Sequence, residues 1–321
     1  MNVGGCALVC YTEAELMENG VLRIDLPLRT ICCALVFCAT SSVGLAQDRA
    51  GWRAQLEALT VFQGDTDLSK GGSFSSSRTF VRGSSIYSFD NDTSVGVSAS
   101  FGLFDYDFGD AAQRPWDDIQ DIRLSIPTRF RASETATVFL SPQVRWDYES
   151  GADRSDSTTY GIFGGVAWTI SDSLTIGPAF GAYSQLEESG ADVFPAILVD
   201  WDITKRWNLN TGAGLGATGG PGLTLGYKLS DTSQLSLSAR SESVRFRLDD
   251  KGLAPDGVGE DESIPVVISY QYNPNPGLSL SAFVGAEFDG RLRLDDASGN
   301  QISSQSYDTA PLGGLAVRFR F

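Results

Sequence analysis

The chain is predicted to be all-β: a transmembrane antiparallel β-barrel of fourteen strands, with twelve as the alternative count. Three observations carry this. Segment after segment alternates apolar and polar residues, the pattern of a strand with two different faces, and no helical period competes with it. The connections between segments alternate short and long, which is how a meander with two unlike ends reads. The last strand, Leu312–Phe321, keeps one face apolar to the final residue, an edge that a water-soluble sheet would leave open and sticky.

The first 46 residues stand apart. Arg23 and Arg29 precede an apolar run from Ile31 to Leu45 that closes on Gly44-Leu45-Ala46, the layout of a secretory signal peptide cut after Ala46. The run is short for a spanning helix, and a start at Met17 gives such a peptide its usual length. All five cysteines (Cys6, Cys10, Cys32, Cys33 and Cys38) fall here. The remaining chain, 47–321, has no thiol for a disulfide, a metal or a nucleophile. Without residues 1–46 it carries 22 basic and 36 acidic residues, a net charge of −14, and is a poor partner for nucleic acid. No linker or shift in composition divides it, so one barrel domain is expected.

Strands are predicted over 52–62, 78–89, 94–108, 121–132, 136–149, 158–170, 174–187, 193–202, 206–213, 223–229, 234–248, 264–272, 278–294 and 309–321. The first two are the weakest, because the apolar pattern of Trp52–Phe62 slips partway and also suits a short helix. The alternation is clearest later. Tyr160, Ile162, Val166, Trp168 and Ile170 share one face; Leu278, Leu280, Val284 and Phe288 share another. Pro127, Pro142, Pro178 and Pro195 fall inside strands, where each removes a ladder donor and marks a bulge or strained spot. Six short turns, such as 171–173 and 230–233, oppose seven longer polar stretches: 63–77, 109–120, 150–157, 188–192, 214–222, 249–263 and 295–308. Trp146, Tyr148, Trp168, Trp201, Trp207, Tyr227, Tyr270 and Tyr272 sit near strand ends on the apolar face, the level of lipid headgroups.

If the apolar face meets lipid, the other lines a lumen, and it is rich in arginine. Arg123, Arg129 and Arg131 share one strand face and Arg145 lies on the next. Arg206, Lys228 and Arg240 follow. Near Ser243 the register is expected to switch, turning Val244, Phe246 and Leu248 outward and Arg245 and Arg247 inward. Glu287, Asp289, Arg291 and Arg293 are read as one face, and Arg318 and Arg320 line the closing strand. Asp147, Asp200, Asp202 and Glu242 oppose them, leaving the interior net positive. Such a wall selects anions through bidentate contacts. Alternatively the charges pair across a nearly filled barrel. No segment between Gln47 and Gly51 is long enough to plug it.

Catalysis is not expected. The chain has no histidine, and lumenal carboxylates beside arginine stay ionised, which is poor for a general acid. Gly212–Gly222 is glycine-rich but opens no helix, so it is no phosphate loop. The acidic stretches Asp249–Glu262 and Asp295–Asn300 match no twelve-residue calcium loop and are read as solvated charge, so no cofactor or metal is expected.

The terminal strand, with Val317, Phe319 and Phe321 alternating to the end, resembles the sorting signal of Gram-negative outer-membrane β-barrels. That resemblance implies the bacterial outer membrane as location, periplasmic termini, and two partners: membrane lipid and the barrel-assembly machinery. The stretch around R-F-R-L-D-D-K-G-L-A-P-D-G-V-G-E-D-E-S-I-P-V, within Val244–Val267, resembles an uncharacterised family of outer-membrane barrels with a domain of unknown function. It carries no activity with it. The expected function is a porin-like channel for diffusion of small, anionic solutes; the alternative is a non-conducting structural or adhesive barrel acting through its outer loops.

Overall fold

A computed structural model describes residues 50–109, 114–188, 190–211 and 220–321. The expected signal peptide and most of the glycine-rich stretch at 212–222 lie outside the described residues. Seventeen extended segments form one sheet: β1 (Gly51–Asp67), β2 (Ser73–Ser88), β3 (Ser94–Phe108), β4 (Ile119–Ser125), β5 (Thr128–Arg131), β6 (Ala136–Glu149), β7 (Thr158–Ser171), β8 (Leu174–Ser184), β9 (Ala191–Asp202), β10 (Trp207–Thr211), β11 (Gly222–Lys228), β12 (Ser233–Arg240), β13 (Glu242–Arg247), β14 (Val258–Asn275), β15 (Leu278–Asp295), β16 (Gln301–Tyr307) and β17 (Ala310–Arg320). Three strands are interrupted once, so that β4 with β5, β12 with β13 and β16 with β17 each make one, giving fourteen. Antiparallel pairing of β1 with β17 closes the barrel, from Gln55 opposite Arg320 to Gln63 opposite Leu312. The terminal Phe321 is tied in by backbone bonds to and from Ala54 (2.9 and 3.2 Å).

The strands expected to be weak are both present, and β1 and β2 pair along most of their length. Of the four prolines, Pro127 marks an interruption, the gap between β4 and β5. Pro142 and Pro195 sit in unshifted register. The proline side of a strand residue needs no donor where the ladder bond on that side is absent, so continuous register is permitted.

The long-loop end departs most from expectation. The strand of β12 and β13 pairs with β11 only up to Arg240, opposite Gly222. Beyond that, β13 crosses to β6 through a parallel bridge from Arg247 to Tyr148. The barrel therefore narrows there to a ring of β13, β14, β15, β16, β1, β2, β3, β4 and β6, and β7 to β11 stand beside it.

On β3 and β14 polarity changes along the strand while the alternation of its two faces continues. On β3 the outward residues Val95, Val97, Phe101 and Leu103 are exposed and apolar, and the next two outward residues are Asp105 and Asp107. Inward, the same strand ends in Phe104, Tyr106 and Phe108, all buried. On β14 the outward Ile264, Val266, Ile268, Tyr270 and Tyr272 give way to Glu262 and Glu260. The apolar outward run spans nine residues on β3 (95–103) and on β14 (264–272) and eleven on β15 (278–288). Above this belt the sheet has the sidedness of a water-soluble protein, charged outside and apolar within.

The ring interior is filled. Phe74, Phe80, Phe104 and Phe246 are essentially inaccessible. Edge-on ring contacts join Phe74 to Tyr307 (5.0 Å), Trp116 to Phe246 (5.1 Å) and Phe80 to Phe104 (5.3 Å).

Two expected assignments are corrected here. No register switch occurs at Ser243: Arg240, Glu242, Val244, Phe246 and Leu248 share one buried face, and Arg245 and Arg247 lie on the other. The apolar residues turn inward because the inside of the ring, not lipid, is the apolar phase at that height. A shift does occur at Asp289, whose φ of 52° places it in the left-handed region as the extra residue of a bulge. Glu287 faces inward, and so do Leu292 and Leu294 beyond the bulge; Arg291 and Arg293 therefore face away from Glu287, and Asp289 is exposed. The stretches expected as loops at 249–263 and 295–308 are partly strand, since Glu260 and Glu262 find cross-strand arginines Arg293 and Arg291.

Phe246→Ala should cost roughly 3–5 kcal/mol, the range for emptying a buried aromatic site. Ile268→Ala, in the belt, should cost less than half as much in lipid vesicles, because acyl chains fill the gap. Urea unfolding followed by tryptophan fluorescence measures both.

Candidate functional site

The interior holds two chemically distinct regions. Inside the narrow ring, one guanidinium organises three carboxylates. Arg78 donates from Nη1 to Glu287 Oε1 (2.9 Å) and from Nη2 to Asp261 Oδ2 (3.2 Å) and Gln63 Oε1 (3.1 Å), with Glu242 at 3.9 Å. Tyr106 and Tyr307 donate their hydroxyls to the two oxygens of Asp261 (2.9 and 3.2 Å). Every one of these side chains is buried among the ring's aromatic residues. Such a cluster holds its geometry because every partner lost strands a charge away from water.

The wider part is lined by polar side chains. Arg145 bonds Asp121 (3.2 Å) and Asp147 (2.9 Å), and Arg123 stands 3.7 Å from Asp121. Arg82 and Arg318 converge on Glu57 (3.2 and 2.7 Å). Arg240 is buried on the same inner side, and Asp200 and Asp202 receive Asn208. Arg129 and Arg320 lie on the inner face near the short-turn end, both exposed, and among the described residues neither has a carboxylate in salt-bridge range. Arg131 is occupied by its own turn, bonding Asp92 (2.7 Å) and the carbonyls of Ser133 and Glu134.

Of the expected wall, then, Arg123, Arg129, Arg145, Arg240, Glu287, Arg318 and Arg320 point inward, though Glu287 belongs to the dry cluster. Arg245, Arg247, Arg291 and Arg293 occupy the opposite face of the sheet. There Arg245 meets Glu260 (3.1 Å), Asp295 (3.0 Å) and the carbonyl of Leu186 (3.1 Å), and Arg247 meets Glu187. The β8–β9 connection thus docks on the outer side of β13. Between them lies a cavity of about 480 Å³ bordered by Gln185, Asp192, Arg245, Glu260, Arg291 and Arg293. In the loop after β15, the Asn300 side-chain amide, together with the backbone N–H groups of Asn300 and Ser298, holds the Asp296 carboxylate below the usual range.

A feature missed in the sequence is a strip of aromatic rings on the inner face of β6 to β9. Phe139, Phe163, Phe194 and Tyr183 follow one another at centroid spacings of 5.6, 6.5 and 5.8 Å. Tyr183 lies over Gly161 and Phe194 over Gly181, where any Cβ would run into the ring. The available signal was glycine alternating with phenylalanine on the polar face of Thr158–Ser171.

No family model matches the chain, and no curated protein matches it. Among solved structures it is similar to the COG4313 outer membrane channel from Pseudomonas putida F1, at 10% identity and a TM-score of 0.48 over 88% of this chain and 100% of that one. It is also similar to a FadL homologue from Pseudomonas aeruginosa, at 13% and 0.44 over 85% and 90%. The Pseudomonas putida toluene transporter TodX follows at 11% and 0.41 over 86% and 90%.

Arg78→Met should destabilise the barrel by roughly 3–5 kcal/mol, leaving Glu287 and Asp261 buried without a counter-charge. Adding Glu287→Leu and Asp261→Asn to that variant should recover most of the loss. The urea midpoints of the three proteins measure it.

Proposed function

We propose that this chain is an outer-membrane channel through which small, anionic solutes diffuse. The observation that carries the proposal is the apolar belt, nine residues tall on β3 and β14 and eleven on β15, around an inner wall that is polar and arginine-rich. Strands of about 9–11 residues cross a bilayer when tilted, and a closed barrel leaves no backbone group unpaired in lipid. The belt includes Val284, Ile197, Ile170 and Leu315, each at least 60% exposed, which water would not tolerate around a whole molecule. At the short-turn end it finishes in Trp168, Trp201, Trp207, Tyr270 and Tyr272, exposed as a headgroup-level girdle requires. Under this reading the short turns and both chain ends are periplasmic and the acidic loops face outward.

The charged inner wall toward the short turns supports the anion preference. Arg82, Arg123, Arg129, Arg145, Arg240, Arg318 and Arg320 face Glu57, Asp121, Asp147, Asp200 and Asp202. Most of these arginines are paired, so selectivity rests on the two exposed ones, Arg129 and Arg320. A second reading, a non-conducting barrel, is favoured by the filled ring at the long-loop end, which leaves a path only beside it, along β7 to β11.

Planar-bilayer recording separates the two. The channel reading expects conductance from purified, refolded protein; a silent membrane refutes it. Replacing Arg129 and Arg320 by Ser should move the KCl-gradient reversal potential toward cation preference at 0.1 M salt. The shift should fade at 1 M, where charge is screened beyond about 3 Å. An unchanged reversal potential at 0.1 M contradicts the arginine assignment.

A further inference from the structure

We propose that the inner face of β6 to β9 is a binding track for planar aromatic carboxylates, and this rests on the channel reading above. Four rings make the track. They climb from Phe139, close to the short turn after β5, through Phe163 and Phe194 to Tyr183, one residue from the end of β8. Each is half-buried, in contrast to the sealed rings of Phe80 and Phe104 inside the narrow ring. The track therefore keeps apolar ring surface toward the wet side of the barrel, at a cost of about 25 cal/mol for each Å² left in water. Glycines let the rings lie against the wall: a side chain at Gly161 or Gly181 would lift Tyr183 or Phe194 out of place. Phe194 and Tyr183 end up within 7° of parallel.

The ends of the track are charged. Arg129 is the cross-strand partner of Phe139, and no carboxylate among the described residues neutralises it. At the other end Tyr183 is the cross-strand partner of Asp192, which borders the 480 Å³ cavity with Arg245 and Arg293. A ligand that matches this order has a flat apolar face for the rings and an anionic group for arginine. Three of the four rings are phenylalanine, with no hydroxyl to meet a sugar's, so a hydroxyl-rich ring would lose hydrogen bonds there that an aryl ring never had. The matching class is the aryl carboxylate.

Benzoate, acetate and benzamide added to single channels in KCl test this. Benzoate should reduce the conductance saturably, at a concentration at least about tenfold below that needed for acetate, the difference one or two ring contacts supply. F163A/F194A should raise the half-blocking benzoate concentration about tenfold, with KCl conductance equal or higher. F163L/F194L, which keeps the volume, should behave the same and shows that a folding defect is not the cause. Arg129→Gln should weaken the block by benzoate and leave that by neutral benzamide unchanged. Benzoate acting no better than acetate, or a block indifferent to both double variants, overturns the track while the channel reading stands. Absence of any KCl conductance overturns both.

Discussion

The structure depends on one constraint: a strand in continuous register has only two faces, and both must suit whatever phase they meet at each height. Through the belt the outer face is apolar and exposed, suited to hydrocarbon under the reading proposed above, and the inner face is mostly polar. Above it, in the ring of β13 to β16, β1 to β4 and β6, the outer face meets water and the inner face meets a packed core. Leu103 followed by Asp105 on β3, and Ile264 preceded by Glu262 on β14, are the same face read on two sides of a boundary. Between β2 and β3 the backbone pairing runs through that boundary unbroken, and between β14 and β15 the bulge at Asp289 sits on it.

This explains which parts of the fold were legible. Closure, strand number and the direction of Phe321, Leu315 and Arg318 follow from alternation and needed no knowledge of the third dimension. The charged face of β13 to β15 did not, because an inverted polarity and a shifted register produce the same string. At Arg245 and Arg247 the inversion is real and the register continuous. At Arg291 and Arg293 the register does shift, through Asp289, and nothing in the residues themselves distinguishes the two cases. The crossing of β13 to β6 was equally hidden, since a parallel contact between non-neighbouring strands leaves no mark on local periodicity. The aromatic strip was overlooked because its rings share a face with polar and glycine residues.

The interior charges divide by the same logic. Where water is excluded, Arg78 is saturated by carboxylates and phenols, and the cluster is structural. Toward the short turns Arg145, Arg82 and Arg318 are also paired, with the buried Asp121, Asp147 and Glu57, whereas Arg129 and Arg320 are exposed and have no carboxylate in salt-bridge range among the described residues. Pairing fixes the wall's shape, and under the channel reading proposed above the exposed Arg129 and Arg320 would give it a field that a solute can feel. The filled ring forces any path to the β7–β11 side, which is where the aromatic strip and the cavity beneath the β8–β9 connection lie.

The account stands most directly on the phase boundary. Spin labels placed singly at cysteines introduced for Phe101, Leu103, Asp105 and Asp107, in protein reconstituted in lipid vesicles, would locate it. Collision with dissolved oxygen should dominate at positions 101 and 103, and collision with a water-soluble nickel chelate at 105 and 107. Equal accessibility to the chelate at all four positions, or oxygen dominance at all four, would contradict it.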